Sequence, residues 1–140
     1  MAYWLMKSEP ATWSWDQQVA KGAEGEPWDG VRNYQARNNM RKMKKGDRVF
    51  FYHSQTDKAV VGIAEVIAEI HPDPTAAPDS PWECVDIMAI ESMKSPVTLA
   101  DIKATPELED MILVKNSRLS VQPVTAKEWK VVCKMGGVKA

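Results

Sequence analysis

The sequence predicts an α+β fold, a mixed β-barrel of five or more strands flanked by short helices, in one domain spanning residues 1–140. Three observations predict it. Short runs rich in β-branched and aromatic residues recur along the chain. Capping signals for helices of only a few turns stand between them. The two kinds of element do not follow the regular strand–helix alternation of a parallel α/β sheet. At 140 residues the chain buries roughly 68–70% of the surface its unfolded form exposes, so a core can form without a disulfide or metal staple.

Residues 3–7 are aromatic and aliphatic and read as a buried strand that ends in the polar turn KSEP. Ser14 and Gln17 have the spacing of a capping box, so a short helix follows to about Lys21, where Gly22 and Gly25 stop it. Asn33 is a natural N-cap. The helix after it sets Ala36, Met40 and Met43 on one face and Arg37, Arg41 and Lys44 on the adjacent one, with Gly46 as its C′ residue. Residues 47–54, DRVFFYHS, form the next strand, and QTDKA makes a turn. Residues 60–70 fit two periods: Val60, Ile63, Ala64, Ile67 and Ile70 match a helical stripe, yet the Val and Ile content favours a strand. Gly62 costs a helix ~1 kcal/mol and the preceding turn suits a hairpin, so the strand is preferred.

The segment HPDPTAAPDSP holds four prolines in eleven residues and is a surface loop. Residues 82–93 resume as a strand. Thr98 with Asp101, and Thr125 with Glu128, cap further short helices, while Pro106 stands at the N1 position of another helical turn. In residues 117–124, SRLSVQPV, Leu119 and Val121 alternate with Arg118, Ser120 and Gln122, giving one apolar and one polar face.

Several function classes are excluded at this level. With 18 basic and 19 acidic side chains the chain is nearly neutral, which argues against broad coating of duplex nucleic acid and restricts any such contact to a local patch. No apolar run approaches the ~18 residues of a membrane span, and MAYWLMKSEP lacks the basic leader and cleavage site of a signal peptide. Cys84 and Cys133 have no C-x-x-C spacing and read as reduced core thiols, fitting a cytoplasmic protein. Phosphate loops, H-E-x-x-H, G-x-S-x-G and G-x-G-x-x-G are absent, so no cofactor is expected. No spacing announces carboxylate partners for His53 or His71, so no metal is expected either. His53 and Ser54, adjacent on a strand, point to opposite faces and do not form a base–nucleophile pair.

One segment stands apart from this neutral background. In WDGVRNYQARNNMRKMKKGD, residues 31–46 carry six Lys or Arg and no acid. Lys42, Lys44 and Lys45 crowd the helix C-terminus, where cations offset the dipole by ~0.3–1 kcal/mol each. Arg32 and Arg37 stand at the other end, where the dipole opposes them, and need a different reason. Of six tryptophans most belong to the core, but Trp28 lies between GAEGEP and DGVRN and reads as a loop residue available for stacking. Polar groups also collect at element ends: Lys7, Ser8 and Glu9; Arg32 and Asn33; Tyr52, His53 and Ser54; Arg118 and Ser120. If the strands close a barrel, these meet at one rim, where an aromatic face with amide, hydroxyl and carboxylate groups suits a nucleobase. Arg37, Arg41 and Lys44 would then contact flanking phosphates.

The motifs YWLMKSEP, WDGVRNYQARNNMRKMKKGD, FFYHS, VVGIAEV, PDPT and SRLSVQPV occur in the order seen in EVE-domain proteins, and the chain resembles that family over residues 3–129. The resemblance implies a PUA-like fold, related to YTH readers of methylated RNA bases and to ASCH domains. It further implies a pocket for a modified base, with Trp28 as stacking wall, Asn33 and Ser8 as edge readers, and Tyr52, His53 and Ser54 as floor. The expected protein is a non-enzymatic reader whose partner is DNA or RNA carrying a modified base. Two alternatives stand beside it. An ASCH-like hydrolase would use Lys7, Glu9 and Thr12 as base, acid and nucleophile. A protein-interaction module would use the tryptophans as an interface hot spot.

Overall fold

The computed structural model describes residues 1–116 and 118–140. Ser117, at the head of the SRLSVQPV segment, lies outside the described residues. The chain order is β1 (Tyr3–Ser8), α1 (Trp15–Ala20), β2 (Glu26–Pro27), α2 (Tyr34–Lys42), β3 (Arg48–His53), β4 (Ala59–Pro72), β5 (Glu83–Thr98), α3 (Leu99–Lys103), α4 (Ile112–Lys115), β6 (Val121–Val124) and α5 (Ala126–Met135). Short 3-10 turns cover Gly22–Glu24 and Pro106–Leu108.

The strands form one mixed sheet in the order β2-β5-β4-β3-β1-β6. β1 runs parallel to β3, and the other pairs are antiparallel. Register shifts interrupt β3/β4 and, four times, β4/β5. Such bulges bend and twist the strands that carry them. The result is a PUA-like, barrel-like open sheet in an α+β fold; β2 and β6 stand at its two edges and do not pair to close it. The parallel pairing sets Lys7 beside Tyr52 and Ser8 beside His53, which brings two polar strand ends together at one end of the sheet.

Strict alternation divides the core between the two faces. Trp4, Met6, Val49 and Phe51 pack with α2 and Trp15, Trp28, Cys84 and Val85. Leu5, Phe50 and Tyr52 pack on the other face with Ile102, Leu113, Trp129 and Cys133. The local capping signals operate as read. Ser14 and Thr125 make full capping boxes with Gln17 and Glu128, Asn33 accepts the Ala36 N–H, and Thr98 accepts the Asp101 N–H.

Two local expectations are corrected. Gly46 is not the C′ residue of α2: the helix stops at Lys42 because Met43 is extended, and Gly46, at φ +96°, turns the chain into β3. The face of β6 that carries Gln122 is not solvated, because Val124 on the same face joins the second core. Gln122 is fully buried there and donates from Nε2 to the Leu119 carbonyl at 2.7 Å.

Candidate functional site

A cavity of about 480 Å³ opens beyond the C-terminal end of β1. One wall is the segment from Glu26 to Arg32, the other is Lys7, Ser8, Glu9, Thr12 and Trp13, and Ser120 completes the lining. Each wall is built by backbone hydrogen bonds. Glu26 and Pro27 pair with Ile87 and Asp86 of β5, and the Trp28 N–H donates to the Val85 carbonyl at 2.8 Å. Gly30 then turns the chain at φ +81°, a conformation that suits glycine, and its N–H donates to Asp73 Oδ2 at 2.8 Å. Opposite, the Glu9 carbonyl accepts from the N–H groups of both Thr12 and Trp13 at 2.9 Å. The Lys7 N–H donates to the Ser120 carbonyl at 2.8 Å, tying β1 to the segment before β6.

Both tryptophans of the cavity are held in place. Trp28 is only 7% exposed and meets the Phe51 ring edge-on, with centroids 5.4 Å apart. Trp28 lies in the irregular segment after β2, as the sequence predicts, but it is a core residue that also lines the cavity, which corrects the expectation of a ring freely available for stacking. Trp13 is half-buried and donates from Nε1 to Gln18 Oε1 at 2.9 Å; the fully buried Gln18 in turn donates to the Ile87 carbonyl.

The electrostatics of the rim centre on Asp73. Burial pushes its carboxyl up, but hydrogen bonds from Thr75, Gly30 and Arg32 outweigh that and hold it down at about 2. The Arg32 guanidinium, 3.1 Å from Asp73, is thereby fixed at the cavity mouth. Partial burial, then the carboxylates of Asp73 and Glu26, push Asp29 above its ordinary value, with Arg32 working the other way. Burial lowers the Lys7 amine. Ser8 Oγ donates to the Trp13 carbonyl, which leaves the oxygen lone pairs of that hydroxyl as acceptors. The cavity lining thus combines Trp13 and Trp28 with the carboxylates of Glu9, Glu26 and Asp29, the hydroxyls of Ser8, Thr12 and Ser120, and the cations Lys7 and Arg32.

Residues 2–135 match the family model described as EVE domain. The chain belongs to the EVE-domain family. Human thymocyte nuclear protein 1 is 34% identical over 94% of this chain and 72% of its own length. A crystal structure of a protein from Agrobacterium tumefaciens superposes with a TM-score of 0.97 at 61% identity, covering 99% of this chain and 94% of that one. Human THYN1 protein, solved in complex with 5-methylcytosine-containing DNA, superposes at 0.89 with 32% identity and full coverage of both chains.

In this EVE domain, seven of the residues singled out from sequence meet at the cavity: Lys7, Ser8, Glu9, Thr12, Trp28, Arg32 and Ser120. Five others do not line it. Asn33 is spent as the α2 cap, accepting the Ala36 N–H at 2.9 Å. Tyr52 faces the opposite side of the sheet in the second core. His53 accepts the Trp15 N–H at Nε2 and faces Asp57 through Nδ1, so both ring nitrogens bind structure. Ser54 donates to the Ser8 carbonyl from behind the cavity wall. Arg118 is exposed, its N–H on the Asn116 side chain at 3.3 Å.

The basic face of α2 is also largely committed. Arg37 is 9% exposed, donates to the Pro81 carbonyl and Asn38, and lies over the Tyr34 ring. Arg41 pairs with Glu83 at 2.6 Å. Lys44 remains exposed, as are Lys42 and Lys45. The residues that sequence reasoning missed are Trp13, Glu26, Pro27, Asp29, Gly30 and Val31. Trp13, next to the capping box, was the accessible one, as an aromatic placed one residue before an N-cap. The tryptophans form no exposed hot spot: Trp4, Trp15, Trp28 and Trp129 are buried, and Trp13 and Trp82 are half-buried.

Proposed function

We propose that this EVE domain is a non-enzymatic reader that takes one modified nucleobase of a nucleic acid into the cavity lined by Trp28 and Trp13. The observation that carries the reading is the cavity itself, with about 480 Å³ lined by Trp13, Trp28 and polar side chains. Its likeness over the full chain to a human protein solved with 5-methylcytosine-containing DNA supports it. Extruding a base costs a few kcal/mol and one aromatic stack returns ~1–3, so the remaining contacts decide whether a given base is held. Glu9, Glu26 and Asp29 supply carboxylate acceptors, which suit a base that presents an exocyclic amine, as cytosine does. Arg32 at the mouth and the exposed Lys42, Lys44 and Lys45 attract the flanking backbone.

Lys7, Glu9 and Thr12 share the cavity, but Glu9 and Thr12 serve its turn through their backbone, which favours binding without turnover. The test is a binding panel of short DNA and RNA oligonucleotides carrying 5-methylcytosine or other modified bases, against unmodified controls. Preferential binding of a modified oligonucleotide, recovered unchanged after incubation, is expected. Equal affinity for modified and unmodified strands would overturn the reading, and chemical conversion of the base would replace a reader with an enzyme.

A further inference from the structure

Behind the Pro27–Trp28 wall, the β4/β5 ladder sets His71 directly across from Cys84, with Asp86 two residues along β5 on the same face as Cys84. A ring nitrogen of His71, Cys84 Sγ and an Asp86 carboxylate oxygen all lie within 4.8 Å of one another. The imidazole is already oriented. Its Nδ1 lies 3.0 Å from the Pro72 carbonyl, which can only accept, so Nδ1 carries the hydrogen and Nε2 is turned toward Asp86 at 2.6 Å. Metal-ligating histidines are held in this way, one nitrogen on a backbone carbonyl and the other at the site.

We propose that His71 Nε2, Cys84 Sγ and an Asp86 oxygen form a binding site for one divalent transition-metal ion of the zinc class, with water in the fourth position. The mixed imidazole, thiolate and carboxylate donors suit zinc, whereas magnesium and calcium take oxygen donors. Metal–ligand bonds of about 2.0–2.3 Å in a tetrahedron put neighbouring donors roughly 3.3–3.8 Å apart. The pair 2.6 Å apart, His71 Nε2 and Asp86 Oδ1, therefore needs to open by about 0.7 Å, and the more distant donors, within 4.8 Å, need to close by about 1.5 Å at most; the half-buried His71 and Asp86 side chains have that freedom. The local field favours a cation. The carboxylates of Asp73, Asp86 and Asp29 all stand close enough to act on Cys84, and together they place negative charge around the site. As the ion binds, two protons pass to water: the thiol proton of Cys84 and the proton that His71 Nε2 shares with Asp86. The ion would clamp the end of β4 to the start of β5, where the proline loop departs.

Cobalt(II) titrated into the reduced protein is expected to saturate at one ion per chain with a thiolate-to-cobalt charge-transfer band. Cys84→Ala should abolish the band, while Cys133→Ala, which removes the buried thiol on the opposite face of the sheet, should keep it. Should Cys84→Ala fail to fold, His71→Gln and Asp86→Asn carry the test at half-buried positions. Each is expected to weaken zinc binding, measured by chelator competition, by at least ~10–100-fold. Absence of uptake, cobalt bound without a thiolate band, or zinc affinity in His71→Gln equal to that of the parent chain would overturn the site.

Discussion

Trp28 and Phe51 meet edge to face, with ring planes at 88°, and Phe51 in turn packs against Trp15 at 5.1 Å. The wall of the cavity is thus the end of a row of aromatic rings that reaches into the sheet core. A residue placed so cannot be removed without cost to the fold. Trp28→Ala is expected to destabilise the protein by ~3–5 kcal/mol, through lost burial and the cavity left behind, as read by the urea midpoint. Trp28→Phe retains an aromatic contact and should fold, while binding the modified oligonucleotide more weakly by part of the ~1–3 kcal/mol of one base stack. Unchanged affinity in Trp28→Phe, together with unchanged affinity of the folded fraction of Trp28→Ala, would remove this residue from the binding wall.

Asp73 organises the other side of the mouth. Its carboxylate accepts from the Gly30 N–H, from Arg32, and from both the N–H and the hydroxyl of Thr75. Asp73→Asn removes the charge and replaces one oxygen by a donor that faces other donors. A loss of ~1–3 kcal/mol is expected, the range for leaving buried polar groups unsatisfied. Amide exchange at Gly30 should quicken more than exchange in the sheet, and oligonucleotide affinity should fall because Arg32 loses its anchor. Exchange at Gly30 equal to that of the parent chain would show that the turn holds without this carboxylate.

The cations near α2 separate into committed and available charges. Arg41 is neutralised by Glu83 at 2.6 Å, whereas Lys42, Lys44 and Lys45 are exposed. In a plot of log K against log salt, replacing the three lysines by glutamine should flatten the slope, by ~0.7 per lost phosphate contact on a single strand and ~0.9 on a duplex. Arg41→Gln should leave it nearly unchanged. The reverse ranking would return Arg41 to the phosphate-contacting role that its place in the sequence suggests.

How far the chain is legible from its residues depends on the range of the interactions that decide each element. Capping residues act over three positions, so Ser14, Asn33, Thr98 and Thr125 announce their helices. β2 has only two residues and exists because β5, some sixty positions later, pairs with it; two residues carry no periodicity to detect. Asp29 and Gly30 therefore enter the site unannounced, with the Gly30 N–H held by Asp73 from the proline loop. Tyr52 and His53 illustrate the opposite failure. They stand at the strand end that the resemblance picks out, but alternation turns Tyr52 to the far core, and the α1 terminus claims His53. The metal-capable trio escapes for a related reason: His71, Cys84 and Asp86 are brought together by the register of a bulged hairpin, which sequence spacing does not fix.

In the sequence Gly62 argues only against a helix, and the structure gives it a sharper role. A Cβ built at this position would lie 2.2 Å from Trp15 Cζ2 and 2.3 Å from Cε2. The indole cannot step aside easily: its backbone N–H donates to His53 at 2.9 Å, its Nε1 donates to Ser92 Oγ at 2.8 Å, and its ring is tilted against Phe51. Gly62 also falls where β4 changes register against both neighbouring strands, a place where a bare backbone allows close approach. Gly62→Ala is therefore expected to destabilise by ~1–3 kcal/mol, the cost of overpacking a filled core. If the clash with Trp15 is the cause, the penalty must depend on that ring. Trp15→Leu alone should destabilise through lost packing, but adding Gly62→Ala to it should cost much less than in the parent chain, giving a coupling of at least ~0.5 kcal/mol in a double-mutant cycle. Additive losses in denaturant unfolding would mean that the glycine is required by the bend of β4 and not by the indole lying against it.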